Sequence, residues 1–163
     1  MANTGWWWSA NSIWIACGWK PSAPTPEGDR GTLAHALGRT LGEIFVVHRI
    51  DLETSGLLVF ARNAETNRAL SEVFREHRID RVYLAVLQGA VTFEKRTVDA
   101  PVGGKRAVTH FEVLERLGPE ATLVRCTLET GRTHQIRIHA AQIRHPVLGD
   151  KRHRSEERRV GKE

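Results

Sequence analysis

Residues 48–63 read HRIDLETSGLLVFARN, a stretch that joins a polar loop to an apolar run and then to a helix-capping residue. The apolar run at residues 57–61 predicts a buried strand. Asn63 can cap a helix that runs to about Glu76, because its side chain can accept a hydrogen bond from the first helical turn. The apolar positions at helical spacing in that segment are Ala69, Leu70, Val73 and Phe74.

The segments around this stretch alternate between strand and helix patterns. Strands are predicted over residues 13–17, 81–88, 107–115 and 121–129, a helix over residues 32–41, and a Pro- and Gly-rich loop over residues 21–31. Thr133 can cap a last helix that carries Ile136, Ala140 and Ile143 on one face. Strands outnumber helices, so we predict an α+β fold with a mainly antiparallel mixed sheet and flanking helices.

The composition favours a globular domain with an anionic partner. The chain has 163 residues, 40% of them hydrophobic and 26% charged, which fits one domain with a core. The net charge of +5 favours nucleic acid first and a membrane surface second. Polar residues interrupt the Trp-rich segment 1–19, which argues against a signal peptide or a membrane span. Cys17 and Cys126 lie far apart, which predicts neither a disulfide scaffold nor a zinc site.

Three polar clusters are candidates for chemistry. In residues 48–56, Asp51 could act as a nucleophile or base and Arg49 could contact a phosphate or a base, although an ordinary Asp–Arg pair fits equally well. Residues 130–139 read TGRTHQIRIH. A helix that begins there places Arg137 in its first turn, where the helix N-terminus favours anions. The alternative is a basic first turn that is simply solvated. Tyr83, the only tyrosine, offers a ring for nucleobase stacking, or is a structural half-buried residue.

Four segments together resemble the motifs of RluA-type pseudouridine synthases, in the same order and with similar spacing. They read HRIDLETSGLLVFARN, RVYLAVLQG, GGKRAVTHFEVL and LETGRTHQIRIHAAQIRHPVLGD. The resemblance runs from about Trp19 to Asp150, which predicts an incomplete catalytic domain over residues 19–150. Trp19 and Arg144 stand where that family usually has Asn and Gly. Residues 1–18 match poorly, and residues 151–163 are charged without an apolar face, so we expect a solvated or disordered tail.

The resemblance implies isomerisation of specific uridines in ribosomal or transfer RNA to pseudouridine, without a cofactor and without a metal. It implies catalytic roles for Asp51, Tyr83 and Arg137, and substrate binding by Arg49, Arg132, His134 and Ile136. In that family the aspartate acts on the target nucleotide, and the arginine forms an ion pair with the aspartate. The tyrosine stacks on the target base, the isoleucine position packs on its other side, and the Arg49 position fills the gap left by the flipped-out base.

The alternative within the same resemblance is an RNA-binding fragment that has lost turnover. In either case we expect a monomer without a membrane partner, in the cytoplasm or an organelle. Other enzyme classes fit poorly. A protein kinase needs Asn where Gly56 stands, His134 and His139 are spaced wrongly for a shared zinc ion, and a serine hydrolase motif is missing.

Overall fold

The computed structural model describes the backbone of residues 7–10 and 13–18, and residues 32–51 and 53–153 with their side chains. The predicted loop at residues 21–31 lies outside the described residues. The chain divides into two units, Met1–Ile79 and Asp80–Glu163. Among the described residues, no helix is long and apolar enough to cross a bilayer.

The first unit contains a four-stranded antiparallel sheet in the order β1-β2-β4-β3 and two helices. Its elements are β1 (Trp7–Ala10), β2 (Ile13–Gly18), α1 (Leu33–Leu41), β3 (Phe45–Val46), β4 (Gly56–Ala61) and α2 (Ala64–Arg75). The predicted cap at Asn63 is confirmed, because its side chain accepts a hydrogen bond from the amide of Thr66 at 2.8 Å. Thr32 caps α1 in the same way, accepting from the amide of His35 at 3.0 Å.

Four buried side chains form the described part of the core of the first unit. Leu37 from α1 packs with Ile50 from the polar loop and with Leu58 and Phe60 from β4. The prediction of a strand buried along its whole length is wrong at Leu57, whose side chain is 69% exposed. The reason is that successive side chains of a strand point to opposite faces, and Leu58 and Phe60 take the core face.

The second unit contains a four-stranded antiparallel sheet in the order β5-β8-β7-β6, with one helix packed on it. Its elements are β5 (Arg81–Gln88), β6 (Lys95–Asp99), β7 (Val108–Arg116), β8 (Ala121–Leu128) and α3 (Gln135–Gln142). Every strand pairing in the described residues is antiparallel. The α+β class and the mainly antiparallel sheet are therefore confirmed.

The core of the second unit lies between this sheet and α3, with Phe111, Val124 and Ala140 at its centre. Cys126 of β8 is fully buried there, and burial raises the pKa of its thiol to about 12. The sequence did not predict β6, because Val98 is its only buried side chain. This edge strand is attached to β7 partly by polar contacts, including a Lys95–Glu112 ion pair of 3.0 Å.

His139 connects α3 to β7 and to the chain after β6 from a fully buried position. Its Nε2 lies 3.0 Å from the carbonyl oxygen of Ala100, so that nitrogen carries the proton and donates. Its Nδ1 lies 2.9 Å from the hydroxyl of Thr109, which donates to it. Burial lowers the pKa of the ring, which favours its neutral form in the folded chain.

We expect the free energy of unfolding to fall as pH drops below about 6.5, the ordinary pKa of histidine. In that range the unfolded chain takes up a proton at residue 139, whereas the folded chain does not, because the folded-state pKa is lowered. Urea unfolding of the wild type and of His139→Gln, at about pH 7.5 and about pH 5.5, measures the change in the free energy of unfolding between the two pH values. The wild type should lose more stability than the variant on acidification, and equal losses would contradict the assignment.

Arg144 ends α3 in a left-handed conformation, with φ of 64°. Its amide donates to the carbonyl of Ala141 at 2.9 Å, and the amide of His145 donates to that of Ala140 at 3.0 Å. These two hydrogen bonds form a Schellman motif, in which this position usually holds glycine. An L-residue is strained there because its Cβ approaches the following carbonyl.

We expect Arg144→Gly to give a chain about 1 kcal/mol more stable than Arg144→Ala. Both changes remove the guanidinium from the helix C-terminus, but only glycine removes the Cβ. The difference between the two variants in urea unfolding therefore isolates the backbone strain. Two variants of equal stability would show that the left-handed conformation carries no strain here.

Candidate active site

The polar loop that carries Asp51 is anchored at alternate residues. The Nε2 of His48 accepts a hydrogen bond from the amide of Val59 at 3.2 Å, and its ring stacks on Phe74 with centroids 4.5 Å apart. Ile50 is buried in the core, 8% exposed. The intervening Arg49 is exposed and Asp51 is half-buried. This alternation explains how a short loop can hold an arginine and a carboxylate at the surface of a rigid scaffold.

The chain turns directly after Asp51, where the amide of Thr54 donates to the carbonyl oxygen of Asp51 at 3.0 Å. The turn and the buried Ile50 fix the backbone on both sides of the carboxylate. Catalytic groups are often found on loops that a rigid scaffold positions in this way.

Tyr83 lies on the face of β5 that packs against the core. It is half-buried and contacts the same buried cluster as Ile136 of α3. The neighbouring strand residues Val82 and Leu84 face the other way and are 54% and 65% exposed. The strand therefore presents the tyrosine ring on the same side of the sheet as α3.

Arg81 lies beside Tyr83 and near Arg132. Burial lowers the pKa of Arg81, and Tyr83 and Arg132 are the ionisable groups that influence it. Its guanidinium donates to the carbonyl oxygen of Glu129 at 3.4 Å. It also occupies the space that a side chain at Gly131 would need. A larger residue at position 131 would therefore displace the end of the Arg81 side chain from its present place.

The turn that leads into α3 is held by the buried side chain of Gln135, which is 2% exposed. Its Oε1 accepts hydrogen bonds from the hydroxyl of Thr130 at 2.8 Å and the amide of Arg132 at 3.0 Å. Its Nε2 donates to the carbonyl of Val108 at 2.9 Å and the hydroxyl of Thr109 at 3.0 Å. All of its polar atoms are thus satisfied, and the turn is tied to β7.

The prediction that Thr133 caps α3 is wrong. The helix begins at Gln135, and its N-cap is His134, which adopts a left-handed conformation with φ of 56° and makes no side-chain cap hydrogen bond. The physical reason is the Gln135 side chain, which satisfies the amide of Arg132 and draws the turn onto β7. Arg137 still falls in the first turn of α3, as predicted.

Arg137 forms a two-pronged ion pair with Asp150. Its Nε lies 2.6 Å from Oδ2 of Asp150 and its Nη2 lies 2.8 Å from Oδ1. The two side chains are 16% and 3% exposed. The hydrogen bonds from Arg137, with others from the amides of Arg152 and His153, hold the pKa of Asp150 far below its usual range.

The expected solvated tail after Asp150 needs a correction at its start. His153 is buried, 6% exposed, and its Nε2 lies 3.2 Å from Nδ1 of His134. Its amide donates to the Asp150 carboxylate at 3.2 Å, so the turn after Asp150 packs on the start of α3. Residues 154–163 lie outside the described residues.

The structure places the predicted site residues in both units. Arg49 and Asp51 belong to the first unit, and the others belong to the second. The sequence did not indicate that Gln135, Asp150 and His153 hydrogen-bond to predicted site residues, or that Arg81 lies beside Tyr83. Gln135 and Asp150 do lie inside the quoted motif of residues 128–150, which was the available signal. No cluster of three or more metal-ligating side chains occurs among the described residues.

Comparisons with known proteins converge on one family. The profile of the family described as RNA pseudouridylate synthase matches residues 22–142. An uncharacterized RNA pseudouridine synthase of Bacillus subtilis, YlyB, is 44% identical over 119 residues, which cover 64% of this chain and 39% of that protein. The ribosomal large subunit pseudouridine synthase D of Zymomonas mobilis is 41% identical over 121 residues, covering 64% of this chain and 38% of that protein.

Solved structures show the same fold. The human RNA pseudouridylate synthase domain containing 1 superposes with a TM-score of 0.76 at 24% identity, and the match covers 92% of this chain and 69% of that one. The chain spans less than half the length of the two bacterial relatives.

Proposed function

The chain belongs to the RNA pseudouridylate synthase family, which confirms the resemblance to RluA-type enzymes, and we propose that it isomerises specific uridines of RNA to pseudouridine. The observation that carries the proposal is the extent of the family match. Residues 22–142 include Arg49, Asp51, Tyr83 and the whole turn from Thr130 to Arg137.

The reaction rearranges bonds within one nucleotide. The bond from N1 of uracil to C1′ of ribose breaks, the base turns, and a bond from C5 to C1′ forms. The proton on C5 is released and N1 gains a proton, so atoms and charge balance without an oxidant or reductant. An isomerisation of this kind requires acid–base or nucleophilic groups and a site that keeps the detached base in place.

We assign the catalytic carboxylate to Asp51. As a nucleophile or as a proton acceptor it must be ionised, and an arginine partner favours the ionised form. The family resemblance gives that partner role to Arg137. Tyr83 and Ile136, which contact one apolar cluster, supply the surfaces on which a flipped-out uracil would stack.

Arginines around the turn before α3 support a phosphate-binding surface. Arg132 donates through Nε to the carbonyl of Arg106 at 3.1 Å, which orients its guanidinium while the side chain stays partly accessible. Arg106 itself is exposed. We propose that Arg132 and His134 bind the RNA near the target nucleotide and that Arg49 occupies the gap left by the flipped base.

The substrate proposal is ribosomal or transfer RNA, and no membrane partner is required. Several relatives carry names that refer to the large ribosomal subunit, which favours ribosomal RNA. The second candidate function is RNA binding without turnover. It is the alternative because RNA binding needs only the basic surface around the turn before α3, whereas turnover also needs the catalytic carboxylate.

One experiment separates the two candidates. The purified chain is incubated with bulk RNA from cells that lack it, and the RNA is then digested to nucleosides and analysed for pseudouridine. In parallel, the RNA retained by the immobilised chain is measured. A rise in pseudouridine supports the enzyme, whereas retention without any rise supports the binding fragment.

A further inference from the structure

The carboxylate that holds Arg137 within the second unit is Asp150, and each partner of this pair has its own anchor. Arg137 lies on α3, two residues after Gln135, whose side chain ties the start of the helix to β7. Asp150 follows a short segment that pairs with the edge of β5. In that segment the amide of Gln88 donates to the carbonyl of Pro146 at 2.8 Å, and the amide of Leu148 donates to that of Val86 at 2.7 Å.

The Asp150 carboxylate is fixed further by the turn that follows it. Its Oδ1 accepts hydrogen bonds from the amides of Arg152 at 3.0 Å and His153 at 3.2 Å. Both oxygens also face Arg137, so the carboxylate has no rotational freedom left without breaking several hydrogen bonds. A buried carboxylate held in this way is a rigid support for the guanidinium.

We propose that Asp150 is a positioning residue, which binds one edge of the Arg137 guanidinium and thereby leaves the other edge for the reacting nucleotide. This inference rests on the proposed function. The Nε–H and one N–H of Nη2 point at Asp150, so an anion at the active site meets the N–H groups of Nη1 and the remaining one of Nη2.

The test compares the wild type, Asp150→Asn and Asp150→Glu in single-turnover pseudouridine formation with excess enzyme. Asparagine keeps the shape and one acceptor oxygen, whereas glutamate keeps the charge. We expect Asp150→Asn to slow the reaction by about 10- to 100-fold, because the guanidinium is misplaced, and to change RNA affinity by less than about threefold. Asp150→Glu should recover part of the rate, because it restores a carboxylate partner for the guanidinium.

A matched control is Glu112→Gln, which removes a carboxylate paired with Arg125 at 2.7 Å on the exposed face of the sheet. It should react like the wild type. A readout independent of activity is the NMR signal of the Arg137 Nε–H, assigned by its loss in Arg137→Lys. In the wild type it should exchange slowly with water, and in Asp150→Asn it should exchange rapidly.

A rate of Asp150→Asn equal to that of an active wild type would overturn the positioning role alone. An Nε–H of Arg137 that exchanges as fast as those of exposed arginines would overturn it as well. A wild type that binds RNA without turnover would contradict the proposed function instead. In that case the Nε–H signal in Asp150→Asn would still decide whether Asp150 fixes the guanidinium.

Discussion

Asp51→Asn is expected to reduce the rate of pseudouridine formation by at least about a thousandfold, the scale seen when a residue that performs the chemistry is removed. The amide has nearly the same shape as the carboxylate but is neither a useful nucleophile nor a base. RNA affinity should stay within about threefold of the wild type, because the phosphate contacts come from other residues. Nucleoside analysis of treated RNA and a filter-binding titration measure the two quantities.

The matched control is Glu53→Gln, which removes one negative charge from the same loop. Glu53 is exposed and is not assigned to the site. Its variant should therefore turn over like the wild type, which excludes a general effect of loop charge. Appreciable turnover by Asp51→Asn would contradict the assignment of the catalytic carboxylate.

Gln135→Leu is expected to lower the free energy of unfolding by about 3–4 kcal/mol, because each buried polar group left without a partner costs about 1–3 kcal/mol. Leucine fits the volume but removes the acceptor that Gln135 supplies to the hydroxyl of Thr130 and the amide of Arg132. The carbonyl of Val108 still accepts a hydrogen bond from the amide of Glu129 at 3.3 Å. The turn into α3 should become more mobile when the hydrogen bonds of Gln135 are lost. Urea unfolding measures the stability, and hydrogen exchange of the Arg132 amide reports on the turn.

The control for this variant is Gln142→Leu at the other end of α3. Gln142 is exposed, and a surface change of this kind usually alters stability by less than about 0.5 kcal/mol. Equal effects of the two substitutions would show that the hydrogen bonds of Gln135 do not hold the turn.

Local signals in the sequence were sufficient for the elements whose ends are set by neighbouring residues. Asn63 caps α2 through Thr66, three residues away, and β5 has the predicted limits at residues 81–88. In both cases the determining contacts or the alternation of side chains lie within a few residues. The fold class followed from the number and order of such segments.

Other features depend on contacts between distant residues and could not be predicted from local patterns. β6 is held by pairing with β7 across an edge that carries charged side chains, so it lacks an apolar pattern. The left-handed His134 results from hydrogen bonds of Gln135 to β7, which lies 27 residues earlier at Val108. Asp150 meets Arg137 only because a separate segment pairs with the edge of β5.

The site itself was located by resemblance more than by physical reasoning on the residues. A single Asp–Arg pair in a loop is common, and only the combination of several motifs pointed to a nucleotide-modifying site. The structure adds the physical reasons for part of these motifs. His48 and Ile50 anchor the loop that presents Asp51, and Gly131 leaves room for Arg81. The roles of Asp51, Tyr83 and Arg137 stay predictions.

The central claim is tested most directly by release of tritium from RNA that carries uridine labelled at C5. Pseudouridine formation replaces the C5–H bond by a bond to ribose, so every conversion transfers one label to water. We expect the wild-type chain to release tritium from ribosomal or transfer RNA transcripts. We expect Asp51→Asn to release none above background. Transcripts that bind the wild-type chain but retain all of their tritium would contradict the central claim.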